Sequence, residues 1–395
     1  MRTKKEGYYM HNMNVSEHIL YVGADDTTLD LFESQYPVPE GVSYNSYVIL
    51  DEKIAVMDTV DARGSETWRE SLAKVLGGRT PDYLVVQHLE PDHSANIAYL
   101  AERYPAMQLV GTAKTKQMIP QFFDEDLSGR FLVVGEGDTL SLGSHTLQFV
   151  MAPMIHWPEV MMTYEQSEKV FFSADAFGTF GAICNEIPWE QEASHYYLNI
   201  VGKYGPSVQT LLKKAGGLDI ATIAPLHGPV LHENLGFYLE KYNTWSSYRV
   251  EKEGVLICYA SIHGNTKRAV CRFADELKAE GVKVKTLDLT REHVSEAVEK
   301  CFQYGKIILA AVSYDGNLMP AMEDLLYHLE IKNYQNRRVG LVENGSWAPV
   351  AAKKMQEHLE AMKDIEICEQ VVTIKTTRKD ADQPAWDALK KQILA

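Results

Sequence analysis

Tyr83-Leu-Val-Val-Gln-His88-Leu-Glu90-Pro-Asp92-His93 runs from an apolar, β-branched segment straight into four side chains that can hold a metal ion. Where a buried strand ends and its ligands begin, rigid backbone fixes their directions. Four polar groups crowded after a core strand also need partners, because a buried carboxylate or imidazole left alone is costly. Other strand ends in the N-terminal half can supply them. His156 follows the strand pattern Thr146–Met151, Asp175 follows Val170–Ser173, and His227 follows Ile220–Ala224. Four strand ends thus offer four imidazoles (His88, His93, His156, His227) and three carboxylates (Glu90, Asp92, Asp175). Seven ligands exceed one tetrahedral ion and suit two ions sharing a bridging carboxylate. Asp58 also lies near a strand end, but it reads as a structural hydrogen-bonding group.

Around this cluster the chain reads as short strands interleaved with helices. Asn45–Leu50 and Lys53–Met57 form a hairpin pattern about Asp51-Glu52; Leu109–Gly111 and Phe131–Val134 continue the strand signal. Helical periodicity covers Gly64–Leu76 and Ser94–Arg103, and one helix or a pair covers Tyr196–Lys214. Such interleaving, with ligands at strand ends, predicts a sheet sandwich flanked by helices.

The character changes near Lys252-Glu253-Gly254, which predicts one domain over residues 1–250 and another over 254–395. Five apolar runs follow, at Val255–Ala260, Val282–Thr286, Lys306–Val312, Arg338–Val342 and Cys368–Ile374. Helical stretches come between and after them, at Thr266–Glu280, Val294–Tyr304, Met319–Leu329, Pro349–Met362 and Pro384–Leu394. Five βα units predict a doubly wound parallel sheet. Directly after the first run stands Ser261-Ile262-His263-Gly264-Asn265-Thr266, whose backbone N–H groups and hydroxyls can wrap a phosphate at a helix N-terminus. Ser313-Tyr314-Asp315-Gly316-Asn317 follows the third run and Glu343-Asn344-Gly345-Ser346-Trp347 the fourth. Tyr314 or Trp347 is placed to cover an aromatic ring. With no G-x-G-x-x-G and distal acid, a mononucleotide fits better than a dinucleotide.

Composition narrows the setting. A net charge of −15 argues against nucleic acid and anionic membrane surfaces, both of which call for basic patches. Five scattered cysteines, none spaced C-x-x-C, argue against a disulfide framework and a thiolate metal site, and suit a reducing cytoplasm. The segment Met1–Ser16 lacks the apolar core of a signal peptide, and no run is long enough to cross a membrane.

The first half resembles the metallo-β-lactamase αββα sandwich, whose usual signature is H-x-H-x-D-H. Here Glu90 stands at the second His, and a hard anionic oxygen donor suits iron and redox chemistry better than zinc hydrolysis. The H-x-E-x-D-H form, His156 with eighteen residues before Asp175, then His227 and a flavodoxin-like second half, together resemble the flavodiiron proteins over residues 15–395. That resemblance implies FMN and two irons. His88, Glu90 and His156 would hold one iron; Asp92, His93 and His227 the other; Asp175 would bridge them. In some members the last His of the first motif is swung off its iron, which puts that question to His93. Tyr196 or Tyr197 resembles a phenol the family places near its irons. The second flavin loop departs from the common Ser-Pro-Thr-Tyr form, reading Ala311-Val312-Ser313-Tyr314. The implied activity is reduction of dioxygen to water, of nitric oxide to nitrous oxide, or both. It would run in a head-to-tail homodimer or dimer of dimers, where one chain's flavin serves the other's irons. Since the chain ends on the last flavodoxin-like helix, rubredoxin or a similar external donor is expected to supply electrons. The alternative is a hydrolase of the metallo-β-lactamase class fused to a flavodoxin-like electron-transfer domain.

Overall fold

A computed structural model describes residues 13–395; most of the N-terminal segment Met1–Ser16 lies outside the described residues. The chain divides into two units. One runs to Tyr197 and takes in Pro206–Asn243; the other comprises Leu198–Gly205 and Thr244–Ala395.

The first unit is the expected sandwich. One sheet has the order Ile19–Tyr21, Tyr47–Ile49, Ala55–Met57, Tyr83–Val85, Gln108–Gly111, Phe131–Val133. The other runs Thr139–Ser141, Thr146–Met151, Met161–Glu165, Val170–Phe172, Thr222–Ala224. Ile49, Met57 and Val85 from the first sheet meet Leu147, Phe149, Met161 and Phe172 from the second in a single core. The hairpin about Asp51-Glu52 is antiparallel, with Ile49 opposite Ala55. Helix Ser65–Leu76 buries Trp68, Leu72 and Leu76, a stripe at helical spacing, and stops at Gly77, whose φ of 56° suits a residue without Cβ. Two segments differ from the sequence expectation. Met161–Glu165 is a strand that the alternation rule misses, because all five residues are buried. The expected helix over Ser94–Arg103 is instead a turn at Pro91–Ser94 and a helix at Ile97–Arg103.

In the second unit all five expected strands form one parallel sheet, ordered Val284–Asp288, Lys252–Tyr259, Tyr304–Tyr314, Arg337–Asn344, Ile365–Ile374. This 2-1-3-4-5 order is that of flavodoxin-like folds, with a crevice at the strand C-termini where the winding direction reverses. Helices Asn265–Ala279 and Gln383–Leu394 cover one face, packing Phe273, Leu277, Trp386 and Leu389 against Val255, Ile257 and Ile308. A Cβ on Gly340 would lie 2.8 Å from Leu389 Cδ1, so any larger residue would require that side chain to shift. Among the described residues no helix is long and apolar enough to cross a membrane.

Among the polar ties between the two sheets of the first unit, one centres on His145. His145 Nδ1 lies 2.8 Å from Asp51 Oδ2 in the first sheet's hairpin turn, and its Nε2 lies 3.1 Å from Glu168 Oε1. Asp51 Oδ2 also accepts from the His145 backbone N–H at 2.7 Å. Burial disfavours the charged imidazole, but hydrogen bonds to Asp51 and Glu168 outweigh it and hold the His145 pKa above its usual value. A raised histidine contributes stability that is complete below its unfolded pKa and is lost as pH rises through the folded one. The stability gap between wild type and His145→Gln should therefore be widest near about pH 6 and narrow towards about pH 9. At its widest it should be on the order of 1–3 kcal/mol, the usual worth of a charged hydrogen bond. Urea melts at both pH values check this; a gap that grows with pH contradicts it.

Candidate metal centre and flavin loops

The seven residues singled out in the sequence converge at one end of the sandwich. His88, Glu90, His156 and Asp175 present ligand atoms within 4.8 Å of one another, and Asp92, His93 and His227 form a second such group. Asp175 lies between the groups and divides its oxygens. Its Oδ2 is 3.0 Å from His156 Nε2 and 3.4 Å from His88 Nε2; its Oδ1 is 3.2 Å from His93 Nε2 and 3.9 Å from His227 Nε2. Glu90 Oε2 closes the first group, 3.0 Å from His156 Nε2 and 3.2 Å from His88 Nε2. Asp92 Oδ2 closes the second, 3.3 Å from His227 Nε2 and 3.4 Å from His93 Nε2. His93 thus points into the cluster.

A metal fits this arrangement on the evidence of its own polar atoms. Both carboxylate oxygens of Asp92 and of Asp175, both ring nitrogens of His93, and Nε2 of His227 are buried and make no hydrogen bond. Seven such atoms in one place would be prohibitively destabilising unless a cation satisfied them. Without one, burial works against every charge, yet the facing imidazoles hold the Asp175 carboxyl far below its usual range. His156 is likewise pushed up to about 9, chiefly by Asp175 and Glu90 against the opposing effect of burial. A bound metal must displace those protons, so affinity rises with pH.

Backbone and neighbouring side chains aim the ligands. The turn after Val170–Phe172 places Ala174 at φ 48° immediately before Asp175, and Leu226 N–H donates to the Ala174 carbonyl at 2.9 Å. Asp58 stays out of the cluster. Its Oδ1 accepts from the N–H groups of Gln87 at 2.7 Å and His88 at 3.3 Å, fastening the start of the ligand loop. His227 Nδ1 donates to the Ser43 carbonyl at 2.7 Å, leaving Nε2 free to ligate. Sequence reading did not find Glu159, whose Oε1 lies 2.8 Å from His88 Nδ1, nor Glu33, which hydrogen-bonds Glu90. Desolvation and that like charge push the Glu33 carboxyl up to about 7. A lone glutamate ahead of an unrecognised buried strand carries no pattern in the sequence.

Of the two tyrosines, Tyr196 lies against the cluster. Its ring centroid is 5.6 Å from that of His227, its hydroxyl is buried without a hydrogen bond, and burial with the nearby Asp175, Asp92 and Glu90 charges raises its pKa well above normal. Tyr197 instead packs on Tyr242, with centroids 4.9 Å apart. Phe32 and Trp157 set their edges against His227 and His88.

At the other unit's strand ends, Ser261–Thr266 leads into helix Asn265–Ala279, with Gly264 at φ 80° in the N-cap position. Ser261 Oγ is buried and unpartnered, an observation that fits a phosphate in this cradle. The second loop is a tight hairpin: Tyr314 pairs with Asn317 across Asp315 and Gly316, both at positive φ (48° and 72°). Several expected contact residues are occupied internally. Ser313 Oγ accepts from Val350 N–H (2.8 Å) and Ala351 N–H (3.2 Å). Glu343 accepts from Ala352 N–H and Thr373 Oγ1, and Asn344 Nδ2 donates to Thr266 Oγ1. Ile262, His263, Tyr314 and Ser346 are exposed, and Trp347 is 92% exposed, a large apolar side chain with nothing yet to cover.

Comparison with known proteins agrees with this geometry. A family model described as ODP family beta lactamase matches residues 42–228. The chain is 26% identical to a nitric oxide reductase of Moorella thermoacetica, covering 96% of this chain and 98% of that one. It is 28% identical to a putative diflavin flavoprotein of Synechocystis, covering 85% of this chain and 59% of the longer relative. The rubredoxin oxygen:oxidoreductase of Desulfovibrio gigas superposes with a TM-score of 0.90 at 26% identity, covering 96% and 97% of the two chains. These matches lend the hydrolase alternative no support. In sequence and in fold the chain closely matches the flavodiiron and rubredoxin:oxygen oxidoreductase proteins along nearly its whole length.

Proposed function

We propose that this chain is a flavodiiron oxidoreductase that reduces dioxygen to water, nitric oxide to nitrous oxide, or both. The observation that carries the reading is Asp175, whose two oxygens address separate ligand groups while making no hydrogen bond of their own. On this reading His88, Glu90 and His156 hold one iron, Asp92, His93 and His227 hold the other, and Asp175 bridges them within residues 1–250. FMN belongs to residues 254–395. Relatives support both gases, one being named a nitric oxide reductase and another a rubredoxin oxygen:oxidoreductase.

When bound, two ferrous ions and one fully reduced flavin supply four electrons, enough for dioxygen to two waters; coupling two nitric oxides needs only two. The chain's residues do the rest. Tyr196, kept protonated by burial and by the surrounding carboxylates, donates towards whatever accepts charge beside His227. Phe32 and Trp157 set apolar edges against the cluster's imidazoles, Phe180 packs on Tyr196 behind them, and together they keep bulk water away. Ser261–Thr266 holds the flavin phosphate, with Ser261 Oγ as a donor in waiting. Tyr314 or Trp347 would cover the flavin ring, and backbone near Gly316 and Gly345 would meet its polar edge. Electrons come from rubredoxin or a similar small iron protein, and the working unit is a head-to-tail homodimer, alone or paired into a tetramer.

Three outcomes are expected. Purified protein should hold two irons and one FMN per chain by metal analysis and flavin absorbance; full activity with zinc alone would overturn the reading. Asp175→Ala should abolish magnetic coupling between the irons and lower metal affinity at least ~10–100-fold, as loss of a bridging anion requires. Retention of a coupled pair with normal dioxygen turnover would remove Asp175 from that role. A mixed dimer tests cross-chain transfer. One chain carries His88→Ala with Asp175→Ala, the other Ser261→Phe with Thr266→Phe. Each homodimer should be inactive and the heterodimer partly active; continued inactivity after verified subunit exchange rules cross-chain transfer out.

A further inference from the structure

The imidazoles of the metal cluster are not braced alike. His227 Nδ1 donates to a neutral acceptor, the Ser43 carbonyl, at 2.7 Å. His93 Nδ1 is buried with no partner. His88 Nδ1 meets an anion, Glu159 Oε1, at 2.8 Å, and both side chains are fully buried. The same oxygen accepts from Leu89 N–H at 2.9 Å, and the second oxygen, Oε2, is buried without a hydrogen bond. Glu159 is also fixed in place. Thr112 Oγ1 donates to its carbonyl at 3.2 Å, and Met161 N–H, two residues on, donates to the Gln87 carbonyl at 3.1 Å, beside His88 itself.

A carboxylate behind an imidazole holds it in the Nδ1–H tautomer, directs Nε2 at the metal and strengthens that nitrogen as a donor. A neutral carbonyl does the first two but adds less negative charge, and an unbraced ring does none of them. We propose that Glu159 is a positioning residue that, acting through His88, makes the His88–Glu90–His156 position the stronger cation site. The Asp92–His93–His227 position is then the weaker, the one that fills last and empties first. The proposal rests on the reading of this cluster as a metal centre.

Cobalt(II), added to the metal-free full-length protein and followed by its visible absorption bands, tests it. His156→Ala and His227→Ala, each removing a ligand from one position, assign the two binding steps. Wild type should fill the His88 position first. Glu159→Ala should weaken that step by about 10- to 100-fold and leave the other unchanged, the range typical for losing a ligand's outer partner. Glu159→Gln, which keeps a hydrogen-bond acceptor but not the charge, should fall between them; it carries the test if the alanine variant does not fold. Wild-type affinity at the His88 step in Glu159→Gln, or equal weakening of both steps, overturns the proposal. Iron content of the protein as purified separates this from the wider reading. If it holds no iron, the diiron function fails, while the cobalt steps still decide what Glu159 does.

Discussion

Asp175 holds a fully buried carboxylate within 3.9 Å of four imidazoles, those of His88, His93, His156 and His227. Bringing three carboxylates and four imidazoles out of water in this way is unfavourable by several kcal/mol per charge unless each is met by an opposite one. Nothing soft in the chain could hold such a cluster together. The ligands accordingly stand at the ends of strands from both sheets, and the sheets are locked by a core of Ile49, Met57, Val85, Phe149 and Phe172. The sandwich supplies the stiffness; the cluster uses it. Stability in this half and readiness to bind metal are therefore opposed locally and supported by the same packing.

The flavodoxin-like unit solves a milder problem. Its three central strands are apolar and buried along their middles, at Val255–Tyr259, Ile307–Ala311 and Val339–Val342, and the candidate loops stand at their C-terminal ends. A phosphate at a helix N-terminus needs backbone N–H groups rather than paired charges, so this site asks for loop geometry more than for desolvated ions. That difference explains why the metal ligands are almost all buried while the second and third flavin loops leave Tyr314 and Trp347 in solvent.

Much of this was legible in the amino-acid order. All five parallel strands and their helices follow from apolar runs alternating with helical periodicity, because parallel strands buried on both faces cannot hide their composition. The seven converging ligands were legible for a related reason: each sits directly after such a run. What stayed hidden was either continuous or solitary. Met161–Glu165 is buried along its whole length yet carries Thr163 and Glu165, so it reads neither as an apolar run nor as an alternation. Glu159 stands alone before it, and its partnership with His88 exists only once the two sheets meet. Choosing Tyr196 over Tyr197 needed the rotation of a helix, since adjacent residues point about 100° apart. The position of Ser313–Asn317 after the third strand was legible, but not its form, in which Asp315-Gly316 is the tip of a hairpin.

The way the flavin loops are tied together has a bearing on how this region can change over generations. Asn344 on the third loop reaches Thr266 on the first, while Ser313 on the second caps the helix that begins at Ala351, just beyond the third. Changing Thr266 or Asn344 therefore loosens an anchor of the other's loop, and changing Ser313 uncaps the helix beyond the third. Residues sharing such bonds depart from additivity, so replacing Thr266 and Asn344 together should cost less than the two separate changes summed. Sequence drift at these anchor positions is consequently channelled, because a change at Thr266 is best tolerated with a compensating change at Asn344.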